Sequence, residues 1–381
     1  MSVREDFVRR AIDPGSNKSA LCREFGISRK TGHKWLERYK ELGVRGLEEM
    51  SRRPASSPLK ASGDMVAEIV AIRRSHPRWG AKKIHAILGR TFAKNEVPTV
   101  RTVARVLVRT GLVQPVVRRP HRRMGPTTAP KAVVKAPNDL WTVDFKGWWL
   151  AINRARCEPL TIRDAFSRFV LRVEVLPSTS VREVRRIFEE TFTSYGLPKA
   201  ILTDNGAPFA VNHGKLGLTT LSAWWLSLGI EHVRTRPGTP ADNGGHERMH
   251  RDMAQDLEQL AAPNRKAQHE AALRWRDEFN NYRPHEALGS KTPGSVYRRS
   301  SVEYDRNKPI ELEYPDDYKI LSVSNVGMIK VRKRHIFISQ ALSGYRVGLA
   351  SDGRNAFTVW FGRRKLGLLD CASTQFAFAA A

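Results

Sequence analysis

The sequence predicts a chain in three parts: all-α units first, an α/β core with a mixed sheet next, and a small β-barrel last. Three observations carry this prediction. Residues 1–125 combine helical periodicity with 28 Lys and Arg against 11 Asp and Glu, so +17 of the net +27 lies there. From 138 to 240, three strand-like runs are followed by strand and helix runs in alternation, the pattern of a mixed sheet flanked by helices. Residues 317–370 return to short strands separated by turns such as NVG and SDGRN.

Totals narrow the function classes. At 381 residues with 41% hydrophobic side chains, the chain is long enough for more than one domain, each with a core. So large a positive charge points to a polyanionic partner, most often nucleic acid. No apolar run reaches the length of a membrane span, and MSVREDFVRR lacks the apolar centre of a signal peptide, so no membrane partner is expected. Cys22, Cys157 and Cys371 lie far apart with no CxxC pair, which reads as isolated thiols in a reducing compartment. A cytoplasmic protein, associated with the bacterial nucleoid, is the expectation.

Each element follows from local chemistry. A short helix fits Ser19 to Phe25, and Gly26 suits the left-handed position that ends it. Ser28 is a good N-cap for a second helix from Arg29 to Glu41. Ile27, Trp35, Leu36 and Tyr39 can pack inward, leaving Arg29, Lys30, His33 and Lys34 outside. That is the helix-turn-helix pattern, whose second helix enters the major groove. The Pro/Ser-rich stretch 53–63 reads as a linker between this unit, 1–52, and a second helix-turn-helix-like unit at 64–114. There Thr99 opens a helix with Val103, Val106 and Leu107 inside and Arg101, Arg105 and Arg109 outside. Residues 115–136 form a basic, Pro-rich linker suited to lying along phosphates. Strands are expected at 140–148, 158–165, 168–176, 199–204 and 231–236, and helices at 180–196, 218–229 and about 246–260, in a core spanning 137–300. Residues 315–372 are expected to form a small SH3-like β-barrel.

Three carboxylates stand out. Asp144 sits within a strand, WTVDFKG, on the side of Thr142 and Lys146 and opposite Trp141, Val143 and Phe145. A strand aspartate is costly to bury unless it is paired or binds metal. Asp204 closes the strand of ILTDNGAPF, at the strand end where ligands gather in α/β sheets. Glu247 opens a helix after RPGTPADNGG. Singly, each has an ordinary reading as a salt bridge, a turn or a helix-dipole partner. Together on a mixed sheet they match two-metal phosphoryl transfer, in which hard oxygen ligands hold two Mg²⁺ about 3.5–4 Å apart.

WTVDFKG, LTDNGAPF and RPGTPADNGGHERMHRDM resemble the DDE transposases of bacterial insertion sequences, the branch with an RNase H-like core of the retroviral-integrase type. FNNYRPHEALGSKTPGSVY resembles the segment closing that core, and CREFGISRKTGHKWLERY with GVRGLEEMSRRP resembles the N-terminal helix-turn-helix of the group. The motifs occur in matching order over nearly the whole chain. The resemblance implies that Asp144, Asp204 and Glu247 are the catalytic, metal-binding triad, with two Mg²⁺ for which Mn²⁺ can substitute. Asn243 and Gly244 match the family's Asn-Gly before the glutamate. The resemblance further implies hydrolysis at the element ends and strand transfer into target DNA by a homodimer or higher oligomer on double-stranded DNA. Lys146, Arg234, Arg236, Arg248 and Arg251 are candidate phosphate contacts, and Trp148 and Trp149 are expected to pack in the core rather than stack on a base. Two departures stand out: Asp204 and Glu247 are 43 positions apart, longer than the commonest spacing, and the retroviral His/Cys zinc domain is absent.

HERMH, residues 246–250, also matches the H-E-x-x-H zinc helix of metalloproteases, with Glu270 as a candidate third ligand. That alternative leaves the helix-turn-helix, the charge and both aspartates unexplained. His246 and His250 are therefore expected on a solvated helix face near DNA. A DNA-binding regulator with an inactive core is a further alternative; it predicts a broken triad, whereas all three carboxylates are present.

Overall fold

The computed structural model describes residues 2–49, 61–113, 134–211, 216–236, 239–308, 310–353, 356–370 and 375–378. Most of the expected 53–63 linker, nearly all of the 115–136 linker and Cys371 lie outside them. The chain forms two units, Met1–Met65 and Val66–Ala381.

The first unit holds α1 (Val3–Ile12), α2 (Lys18–Glu24) and α3 (Arg29–Leu42). Ser2 and Glu5 form a reciprocal capping box on α1. Asn17 caps α2, Gly26 takes φ +63° after it, and the Ser28 hydroxyl accepts from Thr31 N at 3.1 Å to start α3. Phe7, Val8, Ala11, Leu21, Cys22, Leu36 and Leu47 make the core, with Ile27, Trp35 and Tyr39 packed against it. α3 lies close against its neighbours: a Cβ on Gly32 would meet Cys22 Sγ at 2.7 Å.

α4 (Gly63–Ser75), which starts three residues before the second unit, α5 (Ala81–Thr91) and α6 (Val100–Arg109) bury Ile69, Ile72, Ile84, Leu88, Val103, Val106 and Leu107. Thr99 caps α6. These helices are tied to the core that follows: Arg90 Nη1 donates to the Tyr282 carbonyl at 2.9 Å, and Trp79 stacks on Tyr282 at 5.6 Å.

The core sheet contains β1 (Trp141–Phe145), β2 (Trp149–Leu150), β3 (Arg156–Asp164), β4 (Val170–Leu176), β5 (Ala200–Thr203) and β6 (Glu231–Arg234). β1 is central, antiparallel to β3 and parallel to β5; β6 runs parallel to β5, and β2 and β4 both pair with β3. This is the mixed RNase H-like sheet expected. One face packs on α7 (Val181–Tyr195) and α8 (Thr220–Ser227): Trp141, Val143, Leu160, Ile162 and Ile201 meet Phe188, Phe192, Trp224 and Trp225. Truncating a buried ring such as Phe188 to alanine costs about 3–5 kcal/mol. The other face carries α9 (Gly244–Met253), a π-helical turn over Ala254–Glu258 and α10 (Arg265–Asp277). There Met249, Met253, Leu257 and Trp275 pack on Cys157, Val173 and Val175. A short α11 (Pro293–Val296) follows.

The C-terminal strands are β7 (Lys319–Ser322), β8 (Met328–Val331), β9 (Arg334–Phe337), β10 (Arg346–Ser351), β11 (Ala356–Phe361), β12 (Arg364–Asp370) and β13 (Gln375–Phe378). The expected closed barrel is not what they form. Among the described residues they make an open five-stranded antiparallel sheet, ordered β13-β12-β11-β10-β7, with β8 and β9 pairing apart as a hairpin. Closure would require the two edge strands to pair; β13, beyond the expected end of the barrel, extends one edge instead. Their core is continuous with Leu216, Leu218 and Ala223 of the preceding domain.

Candidate active site

Strand alternation decides where the acidic groups point. Trp141 and Val143 enter the core beneath α7 and α8, so Thr142, Asp144 and Lys146 face the side covered by α9. On the neighbouring parallel strand, Thr142 is in register with Leu202, and continuing that register by two residues sets Asp204 beside Asp144. Asp204 is the first residue after β5 and is exposed, its carboxylate accepting from Gly206 N at 3.2 Å. Glu247 stands exposed on the first turn of α9. Asp144 is 24% exposed, and burial, reinforced by Asp204 and then Glu247, pushes its carboxyl up to about 7.

Asp164 makes the contrast. It is fully buried yet satisfied, accepting from Asn138 N and Ser167 N at 2.7 Å each and from the Ser167 hydroxyl at 2.5 Å. Asp144 has no comparable set of donors, so it remains available to a cation. Among the described residues no three His, Cys, Asp or Glu side chains already converge as a ligand set. Holding an ion therefore requires Asp204 and Glu247 to turn towards Asp144.

The histidines depart from expectation. His246, Met249, His250 and Met253 share the inward stripe of α9, while Glu247, Arg248 and Arg251 face out. His246 is completely buried, with Nδ1 2.8 Å from Thr142 Oγ1 and Nε2 2.6 Å from Thr161 Oγ1. His250 Nε2 lies 2.7 Å from the same Thr161 oxygen, and its Nδ1 lies 3.7 Å from Asp144 Oδ2. Burial lowers both imidazoles, His250 to about 3. The solvated face near DNA is thus corrected to a buried hydrogen-bonded pair. The protease reading loses its geometry too, because threonines occupy the ring nitrogens of His246 and Glu247 points away from both rings.

The other candidate residues divide into exposed and engaged. Arg29, Lys30, His33 and Lys34 are exposed on α3, Arg101 and Arg105 on α6, and Arg248 and Arg251 on α9. Lys146 is 10% exposed, paired with Glu258 and 5.1 Å from the Trp149 ring centre. Arg234 is half-buried against Gly217, where a Cβ would meet its guanidinium at 2.5 Å. Arg236 closes the glycine-rich loop by a bidentate bond to Asp242, at 3.1 and 2.8 Å. Asn243 stands at the N-cap of α9 without a capping bond, its Oδ1 buried and without a partner. Trp149 packs in the core as expected, whereas Trp148 is 56% exposed beneath the Arg156 guanidinium at 5.0 Å. The sequence reading missed Thr142 and Thr161 as the partners of the histidines; the inward period of HERMH and DM was the available signal.

A mixed sheet bearing acidic groups at strand ends, in a chain that also holds basic helix-turn-helix helices, is the make-up of a DNA-acting protein with an integrase-type core. Comparisons agree. Integrase core domain families match residues 134–240 and 228–293, a helix-turn-helix domain matches 3–55 and a homeodomain-like domain matches 31–107. An uncharacterized 39.2 kDa protein of insertion element IS476 from Xanthomonas euvesicatoria is 27% identical over 272 residues, covering 70% of this chain and 74% of that protein. An uncharacterized 31.7 kDa protein of insertion element IS407 from Burkholderia multivorans is 26% identical, covering 63% and 83%. Among solved structures, the HTLV-2 integrase catalytic core domain in complex with magnesium is similar with a TM-score of 0.34 and 20% identity, over 43% of this chain and 98% of that one. A simian T-cell lymphotropic virus intasome in complex with PP2A regulatory subunit B56 gamma gives 0.36 and 15%, over 82% and 99%. The chain thus carries an N-terminal helix-turn-helix and an integrase core domain, and it is similar to proteins of bacterial insertion elements. No helix among the described residues is long and apolar enough to cross a membrane.

Proposed function

We propose that the chain is an insertion-sequence transposase and that Asp144, Asp204 and Glu247 are its catalytic carboxylates. The observation that carries the reading is that the parallel β1–β5 register, continued past the end of β5, sets Asp204 beside Asp144, with Glu247 near enough to help raise Asp144. The donor set suits a hard divalent cation: Asp204 and Glu247 both act electrostatically on Asp144 and can turn towards it, and Lys146, the nearby ammonium, is committed to Glu258. Two Mg²⁺ held there, with Mn²⁺ able to replace them, would supply charge neutralisation at the attacking and leaving oxygens.

The reaction is two successive displacements at phosphorus. Water attacks a phosphodiester at the element end; the P–O3′ bond breaks, leaving a 3′-hydroxyl and a 5′-phosphate. That 3′-hydroxyl then attacks a target phosphodiester, forming one P–O bond as another breaks, so no external energy source is consumed. The protein's part is mostly positioning and charge. Arg29, Lys30, His33 and Lys34 read the terminal inverted repeats from the major groove, with the 64–114 unit and its Arg101 and Arg105 as a second reader. Arg234, Arg248, Arg251 and Asn243 line the path of the DNA backbone near Glu247. Lys146 and Arg236 act there through the residues they brace. Joining two ends in concert calls for a homodimer or a higher oligomer on DNA.

The test is a nicking and joining assay on the flanking element ends with wild type, Asp204→Asn and Glu247→Gln. Both variants are expected to lose nicking and joining while retaining end binding. Retained joining by either one refutes its assignment.

A further inference from the structure

The hydrogen bonds around Thr161 leave one nitrogen with a defined orientation and no partner. Thr161 Oγ1 lies 3.0 Å from the Asp144 carbonyl oxygen, 2.6 Å from His246 Nε2 and 2.7 Å from His250 Nε2. A hydroxyl has one proton and two lone pairs. The carbonyl can only accept, so the Thr161 proton goes there. Both imidazoles must then donate from Nε2 into the two lone pairs. For His246 this leaves Nδ1 to accept from the Thr142 hydroxyl at 2.8 Å, a far shorter contact than that hydroxyl's 3.5 Å approach to the Arg163 carbonyl. For His250 it leaves Nδ1 bearing a lone pair, 3.7 Å from Asp144 Oδ2. With Asp144 ionised, the two are acceptors that cannot hydrogen-bond to each other and repel. A cation between them turns the repulsion into attraction. Metal–ligand bonds of about 2.1 Å set neighbouring ligands about 3 Å apart, so a small side-chain rotation brings the pair into ligating range.

We propose that His250 Nδ1 is a nitrogen ligand of the cation that Asp144 takes, with Thr161 locking the ligating tautomer. Thr142 and His246 hold Thr161 in place, the outer-shell arrangement that metal-binding histidines use. The proposal rests on the carboxylate reading above and adds a nitrogen to an otherwise all-oxygen site. Imidazole favours transition metals, so the site prefers Mn²⁺ to Mg²⁺ more strongly than three carboxylates would.

Pulsed EPR of Mn²⁺ bound to the full chain tests it. The expected result is a hyperfine-coupled nitrogen in wild type, which changes its splitting when the histidines are ¹⁵N-labelled and disappears in His250→Ala. Mn²⁺ affinity falls about tenfold in His250→Ala, and Mg²⁺ affinity falls less. Should His250→Ala not fold, the isotope comparison in wild type still decides, because Thr142 occupies the free nitrogen of His246. Mn²⁺ that binds in an Asp144-dependent way without nitrogen coupling overturns the proposal and leaves the carboxylate site standing. Coupling that survives in folded His250→Ala also overturns it. Absent Mn²⁺ binding, or binding indifferent to Asp144→Asn, brings down the carboxylate reading and this proposal together.

Discussion

Replacing Asp144 with asparagine probes the site without touching DNA. The wild-type carboxyl is held up at about 7, against 3.8 in an unperturbed chain, by burial first and then by Asp204 and Glu247. Below about pH 4 it is protonated whether the chain is folded or not, and the substitution removes no penalty. Between about pH 4 and 7 the unfolded chain ionises while the folded one keeps its proton, so wild type loses stability as pH rises. Above 7 the loss is constant. Each pH unit is about 1.4 kcal/mol, so three units set a ceiling of about 4 kcal/mol. Partial exposure and relaxation of the neighbouring carboxylates reduce that to about 1–3 kcal/mol. The asparagine side chain keeps the shape of the aspartate and loses its charge. Urea unfolding read by fluorescence of the buried Trp141, Trp224 and Trp225 should therefore find Asp144→Asn more stable than wild type by about 1–3 kcal/mol at pH 8 in chelator, with the two curves meeting near pH 4. Adding Mg²⁺ should raise wild type and leave the variant unmoved. A variant less stable at pH 8, or a gap independent of pH, refutes the reasoning.

Other perturbations follow from the same geometry. Because the cation competes with a proton on Asp144, Mg²⁺ affinity measured by calorimetry should climb about tenfold per unit below pH 7 and level off above it. Replacing Arg29 and Lys34 with alanine should weaken binding to element ends and lower the log–log salt slope by about 2, with nicking of short, saturating substrates retained; an unchanged slope places the DNA elsewhere. His246→Ala leaves a cavity and takes one hydrogen-bond partner from each of the Thr142 and Thr161 hydroxyls, so it should cost about 2–5 kcal/mol in urea unfolding; a loss below about 0.5 kcal/mol contradicts the buried histidine. Gly32→Ala should cost about 1–3 kcal/mol in the N-terminal unit, because its Cβ would press on Cys22 and Phe7.

The sequence disclosed the parts of this protein whose signals are local. Ser28 and Thr99 announced helix starts that the structure realises through side-chain caps. The alternation about Asp144 told which neighbours share its side, and the strand ends of β1 and β5 told where Asp204 lies. Helix α1 lies beyond the expected elements, although Ser2 and Glu5 spell its capping box. The histidines were misjudged because a charge-rich helix looks solvated. What decides their burial is Thr142 and Thr161 on two strands, partners 104 and 85 residues away in the chain. Barrel closure was likewise out of reach: short strands of even spacing specify hairpins, whereas pairing between the first and last depends on non-local geometry. The commitments of Lys146 to Glu258 and Arg236 to Asp242 are also tertiary facts, invisible in composition.

The central claim is that Asp144, Asp204 and Glu247 hold the ions that drive strand transfer. Its most direct measurement is the anomalous-scattering position of Mn²⁺ in crystals of the full chain bound to its own element ends. The account predicts Mn²⁺ about 2.1 Å from carboxylate oxygens of Asp144 and Asp204, with Glu247 completing the site. Metal bound through His246 and His250 without Asp204 or Glu247, or found only away from the end of β1, would contradict it.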